Sequence, residues 1–244
     1  MPFIQVNDNT LIFRLRRSRR AKRLHMLVRQ HLFEVVAPHR VSNAQVLAFV
    51  WQHRSWMVKQ WRRKGRHTST LQSVWPENFF AGETILYRGE RLMLNVKYGA
   101  QSSVQLQAQR LTVTLSWQSI SAHQIAASIK AQVIAWYQQE AKQLIQASLE
   151  EYCPRLGRHP RGFSLKQQKT RWGSCGIQEN IHINWLLVLA PPGVLEYVVV
   201  HELCHLFHRN HGKRFWAKVA QFYPQYEQHE AWLRNHGQYL QPLN

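Results

Sequence analysis

The chain has 244 residues, 45% of them hydrophobic, which is enough to build a core and excludes wholesale disorder. Lys and Arg number 32 against 13 Asp and Glu, a formal net charge of +19, so a polyanionic partner or substrate suits the surface better than a cationic one. No apolar run approaches the ~20 residues of a membrane span, and three cysteines (Cys153, Cys175, Cys204) are too few for a disulfide scaffold.

The N-terminal stretch Met1 to Thr10 carries no apolar core of a signal peptide, so a cytoplasmic location away from any membrane is expected. Charge is unevenly spread. Residues 1–70 hold 15 basic and 2 acidic residues, residues 71–152 hold 6 of each, and residues 153–244 hold 11 and 5. DNA or RNA bound through the basic N-terminal region is one reading; a merely basic, soluble face is the other.

Phe3 to Val6 and Leu11 to Leu15 flank an Asn-Asp-Asn segment and read as a β-hairpin. Leu24 to Val28 and Leu32 to Ala37 read as strands, the second stopped by Pro38. Ser42 is placed to cap a helix running to about Lys64, with Val46, Phe49, Val50, Trp56 and Met57 near helical period. Trp51, Trp56 and Trp61 alternate there with Arg54, Lys59, Arg62, Arg63 and Lys64. They read first as a core stripe and second as base-stacking aromatics. Gly65 to Pro76 reads as a linker. Short strands are expected at Ile85 to Tyr87, Leu92 to Lys97, Val104 to Leu106 and Leu111 to Leu115. Ser121 opens a long helix that Pro154 and Gly157 end near Tyr152. Strands follow at Phe163 to Leu165 and Ile181 to Ile183. Pro191-Pro192 starts a helix from Leu195 to about Phe207, and two helices lie near Lys213 to Phe222 and Gln225 to Asn235. The fold class is α+β. A strand-rich basic region over residues 1–118 precedes a more helical domain over residues 119–244.

Within the helix after the prolines stands His201-Glu202-Leu203-Cys204-His205, an H-E-x-x-H pattern. Positions four apart share a helix face, so His201 and His205 can offer nitrogens to one ion at about 2.0–2.1 Å. Glu202 sits roughly 100° around, beside the ion, where it can take a proton from water. The preceding Val198-Val199-Val200 implies burial, and a buried ionisable group needs a reason such as a metal. For a third ligand His208 and His211 compete. On a continuing helix His208 lies about 10 Å along the axis from His201, too far to share its ion. His211 reaches back if the helix ends near His208, aided by a left-handed Asn210 and a flexible Gly212, and is favoured. Glu227 or Glu230 is the remaining option. The ligand spacing is that of metzincins, but His208 replaces their glycine and all four methionines precede the motif. Cys175 and Cys204 read as packed thiols.

A second motif runs Thr170-Arg171-Trp172-Gly173-Ser174-Cys175, followed by Asn180-Ile181 and Asn184-Trp185. With Pro191-Pro192, Tyr197-Val198, Asn210-His211 and Phe215-Trp216 it resembles the YgjP-like metallopeptidase family, related to SprT-like and small zincin proteases. The resemblance extends to Ser18 to Arg23 and to Gly82-Glu83 through Gly89, and so covers almost the whole chain. It implies a zincin-like fold with an HExxH active-site helix, one zinc ion per chain, His201, His205 and His211 as metal ligands and Glu202 as general base. By zincin analogy, the strand near Ile181 borders the cleft and pairs with an extended peptide.

The resulting expectation is a zinc-dependent peptidase acting on polypeptide through a metal-activated water. Arg171 is a candidate for substrate binding or oxyanion stabilisation. Two alternatives stand beside it. One is a metal-dependent phosphohydrolase acting on a nucleoside triphosphate. The other is a nucleic-acid-binding protein with a structural zinc, which predicts a closed four-ligand site and a dispensable Glu202. Oligomeric state is not legible in the sequence.

Overall fold

The computed structural model describes residues 3–6, 9–29, 32–57, 59, 74–76, 78–116 and 124–242. It is a mixed α+β chain dividing into two compact units. The first comprises Met1–Leu71, Pro76–Thr84 and Met93–Gln132, and the second Gln72–Trp75, Ile85–Leu92 and Val133–Asn244.

In the first unit, β1 (Phe3–Val6) pairs antiparallel with β2 (Asn9–Ser18), as a hairpin sequence should. β3 (His25–Arg29) and β4 (Leu32–Pro38) complete a sheet of order β1-β2-β4-β3, with β2 and β4 parallel. Alternation sends Phe13, Phe33, Val35 and Ala37 to one face, where they bury Val46 and Val50 of α1 (Asn43–Gln52) and Met57. Ser42 caps α1 in a reciprocal box with Gln45. The helix stops at Gln52 with His53 as its cap, and residues 54–57 are helical again, so no single helix runs on from Ser42. Trp51 and Trp56 are not core residues: they are 49% and 39% exposed, because Val46, Val50 and Met57 already fill the face toward the sheet. Trp61 and the expected linker up to residue 73 lie outside the described residues.

A second sheet has the order β5-β6-β8-β7, from β5 (Thr84–Tyr87), β6 (Glu90–Gly99), β7 (Ser103–Gln107) and β8 (Arg110–Ser116). The β5–β6 turn places Arg88 and Gly89 at positive φ. Its amides donate to the carbonyls of Val188 and Leu189. A Cβ on Gly89 would meet Pro191 at 3.1 Å, so only glycine fits this approach to the start of the next helix.

Helix α2 (Ile125–Leu156) runs past Pro154 rather than stopping before it. Gly157, at φ 69, is the actual terminator. Its amide bonds to the Pro154 carbonyl and that of Arg158 to Cys153, a Schellman closure that a glycine makes easy and a proline in the last turn does not prevent. Residues 121–123, where a cap was expected, lie outside the described residues.

The rest of the second unit positions the histidines. A three-stranded sheet has the order β10-β11-β9, from β9 (Gly162–Lys166), β10 (Gly173–Cys175) and β11 (Asn180–Asn184). β11 is parallel to β9 and antiparallel to β10. A buried 3-10 turn (Trp185–Leu189) leads through the prolines into α3 (Val194–Cys204). Helices α4 (Lys213–Phe222) and α5 (Tyr226–His236) pack on α3 from beyond. Among the described residues no helix is long and apolar enough to cross a membrane.

Candidate metal centre

Helix α3 is buried almost throughout, from Val194 to Cys204, with only Glu196 and His201 partly exposed. It ends at Cys204, and His205 is its cap with helical φ and ψ, so His201 and His205 keep the one-turn spacing of a single face. The chain then tightens. The amides of Leu206 and Phe207 bond to the carbonyls of Leu203 and Cys204, three residues back. That tightening turns the chain so that His211 returns to α3. Neither Asn210 nor Gly212 adopts a positive φ, contrary to the expected left-handed reversal, because the i→i+3 bonds already supply the turn.

The ligand nitrogens of His201, His205 and His211 lie within 4.8 Å of one another. Nε2 of His201 faces Nε2 of His211 at 2.9 Å. Nδ1 of His205 lies 2.9 Å from the His208 carbonyl oxygen, to which it donates, leaving Nε2 of His205 with its lone pair. Nδ1 of His201 lies 3.4 Å from the Tyr197 hydroxyl, one turn earlier on α3. Phe215 and Trp216 of α4 wall the cluster, with ring centroids 4.5–5.8 Å from those of the histidines. Burial, with His205 and His211 alongside, lowers the His201 pKa to about 3, so its ring is a neutral donor of the kind a metal binds.

Glu202 is 5% exposed, and its Oε2 has no hydrogen-bond partner. Burial raises its pKa to about 8, against the opposing pull of Arg171. Its carboxyl group lies flat against Gly173 of β10. A Cβ at that position would stand 2.5 Å from Oε1 and 2.9 Å from Cδ. The glycine of the Trp172-Gly173-Ser174 run is therefore the space that Glu202 occupies.

The sheet explains what lies beside it. The Asn184 amide bonds to the Trp172 carbonyl, and the Gly176 amide to the Asn180 carbonyl. By antiparallel alternation, Trp172, Ser174 and Gly176 face β11, while the N–H and C=O groups of Gly173 and Cys175 point to the open edge. Among the described residues β10 is thus the strand with a free edge beside Glu202. Ile181, expected to border the cleft, is in the central strand β11, paired on both sides and 0% exposed. The expectation failed because β10 is too short to be read from alternation.

The sequence model of the YgjP-like metallopeptidase domain matches residues 22–236. The chain belongs to the YgjP-like metallopeptidase family. Two solved structures are similar over part of it. One is the metallopeptidase zymogen of Pyrococcus abyssi abylysin, at 18% identity and TM-score 0.35, covering 41% of this chain and 99% of that one. The other is the metallopeptidase zymogen of Methanocaldococcus jannaschii jannalysin, at 19% and 0.34, covering 37% and 94%. No curated protein matches.

In this YgjP-like metallopeptidase the donor set fits the metal that such a family requires: three imidazole nitrogens converge beside a buried carboxyl group whose Oε2 has no partner. Of the residues singled out in the sequence, His201, His205 and His211 come together, Glu202 adjoins them, and Arg171 is exposed with its charge acting on Glu202. His208 contributes its backbone carbonyl and not its ring. Glu227 and Glu230 are not in the cluster. Cys204 is fully buried, and Cys175 is half-buried with Sγ 3.6 Å from the Arg209 guanidinium.

Three residues of this metallopeptidase escaped a functional reading of the sequence. Gly173 makes room for Glu202. Asn184, 2% exposed, donates from Nδ2 to the carbonyls of Gln168 and Arg171 and accepts the Leu186 amide, holding the loop that carries Arg171. Arg209 donates to the Gly176 and Ile177 carbonyls and ties the ligand loop to the β10–β11 hairpin. Only the Gly-Ser-Cys run and the buried-type Asn184-Trp185 pair hinted at them.

Proposed function

We propose that the chain is a zinc-dependent peptidase in which His201, His205 and His211 hold one zinc ion and Glu202 is the general base. One observation carries the reading: a 5%-exposed carboxyl group with an unpartnered oxygen stands on the helix turn of His201 and His205, whose imidazole nitrogens converge with that of His211 from the following loop. Burying such a group costs stability, which a purely structural zinc would not require. Among the described residues the cluster has three ligands and no fourth His, Cys, Asp or Glu, the number typical of catalytic rather than structural zinc.

The chemistry a zinc ion supplies when bound is Lewis acidity toward a carbonyl and a nearby water. The His208 carbonyl fixes the tautomer of His205, and Tyr197 stands behind Nδ1 of His201; both orient the rings. Glu202, held against Gly173, would be drawn to its ionised form by the positive charge of a zinc ion beside it, and then takes the proton of the attacking water at Oε2 and passes it to the leaving amine. Gly173 and Cys175 offer outward N–H and C=O groups to an extended peptide, which supports a polypeptide substrate. Arg171, whose field reaches Glu202, steadies negative charge developing on the substrate.

The test is a product assay by mass spectrometry on unfolded protein and on nucleoside triphosphates, with zinc-loaded wild type and Glu202→Gln. Peptide fragments from wild type alone are expected, with zinc content equal in both and activity lower by about 10²–10⁴-fold in the variant. Triphosphate hydrolysis that depends on Glu202, without peptide fragments, overturns the peptidase reading. Equal zinc content in His201→Ala and wild type overturns the ligand assignment.

A further inference from the structure

Residues 9–76 contain a single acidic residue, Glu34, and its carboxylate is ion-paired to Arg16 at 3.0 Å. The cations around it are therefore not neutralised by neighbours in sequence, and the fold gathers several of them. β2 and β4 run parallel with Ser18 opposite Pro38, while His25 at the start of β3 lies opposite Val36. The Ser18–His25 connection and the Pro38–Ser42 turn therefore leave the sheet at the same end. Arg19, Arg20, Lys22 and Arg23 are exposed on the first, and Arg40 on the second. Arg17 fastens the two together, donating to the carbonyls of Pro38 and Val41 and to Oδ1 of Asn43 at the start of α1.

Helix α1 begins at that same end. Its core face is spent on the sheet, and its outer face carries Asn43, Leu47 and Trp51 at four-residue spacing. Leu47 is 41% and Trp51 49% exposed, and the Arg54 guanidinium lies 4.8 Å over the Trp51 ring. An indole presented to solvent in a stretch with this excess of cations over acidic residues is more than charge alone would call for.

We propose that this surface, from Arg19–Arg23 and Arg40 along the outer face of α1 to Trp51 and Arg54, binds single-stranded nucleic acid. The arginines and Lys22 contact phosphates, and Trp51 stacks on a base. An acidic polypeptide would match the cations and leave the exposed indole unused. A lipid surface would need a broad apolar face, and α1 presents two large apolar side chains in ten residues.

The test uses the full chain and a fluorescein-labelled oligothymidylate of about 16 nucleotides, followed by anisotropy across a salt series. The combined Arg19→Gln, Arg20→Gln, Lys22→Gln and Arg23→Gln variant should weaken binding and flatten the slope of log K against log salt by about 3, at about 0.7 per phosphate contact. The combined Arg19→Lys, Arg20→Lys and Arg23→Lys variant should retain it. Trp51→Leu should weaken binding about tenfold without changing the slope. The proposal is overturned if the glutamine variant binds as wild type does, with its fold intact by circular dichroism. Polyglutamate, anionic vesicles or duplex DNA binding as tightly, with Trp51→Leu without effect, also overturns it and reassigns the surface to that partner.

Discussion

His205 has both ring nitrogens in use. Nδ1 donates to the His208 carbonyl, and Nε2 joins the cluster with His201 and His211. That division separates two residues of the same type, of which helix spacing had favoured His211. His208 acts through its backbone, so His208→Ala keeps the contact, whereas His211→Ala removes a donor nitrogen. The expected outcome is that His211→Ala lowers zinc affinity far more than His208→Ala, measured by competition with a chromophoric chelator. The reverse order would move the third ligand to His208. The carboxylate of Glu202 carries the other residue-level tension, since a buried oxygen without a partner is tolerated where function uses it.

Between elements, the decisive contact is α3 against β10. The strand is three residues long, yet its glycine meets Glu202 and its outward backbone forms the free edge. Gly173→Ala places a methyl group 2.5 Å from Oε1 and forces the carboxyl group to move. The expected result is a peptidase activity lower by about 10²-fold, since displacements of about 1 Å cost that much, with zinc content unchanged. Full activity in this variant would mean that Glu202 does not need its observed position. Arg209 supports the same geometry from the ligand loop by holding the Gly176 and Ile177 carbonyls.

At the scale of the molecule, the two proposed sites fall in different compact units. The histidines, Glu202 and β10 all lie in the unit containing residues 133–244, while the basic sheet end lies in the unit containing residues 1–71. A zinc ion held by these histidines as proposed would bind the native state and not the unfolded one, so at 100 times its dissociation constant it would stabilise the fold around its ligands by about 2.7 kcal/mol. Hydrogen exchange with zinc and then with chelator should therefore show protection gained in α3 and the loop to His211, with β1–β4 unchanged. Protection spread equally over β1–β4 would place the zinc-linked stability elsewhere.

Much of this was legible in the sequence where the information is local. The strands β2, β3, β4, β6 and β8 follow from alternation. Ser42 announces its helix by its own hydrogen bonds, and His201 and His205 meet because i and i+4 share a face in any helix. Membership of the metallopeptidase family was likewise legible, because its motifs occur in order along the chain. What only the tertiary structure decided concerns residues far apart in the chain. That β10 and not β11 is the open edge depends on strand order. That Gly173 is the seat of Glu202 depends on a helix packing against that edge. That Trp51 faces water depends on Val46, Val50 and Met57 having already filled the sheet face. Periodicity reports which side of an element is apolar. Which neighbour covers that side, and which backbone edge stays bare, is set by contacts that no local pattern encodes.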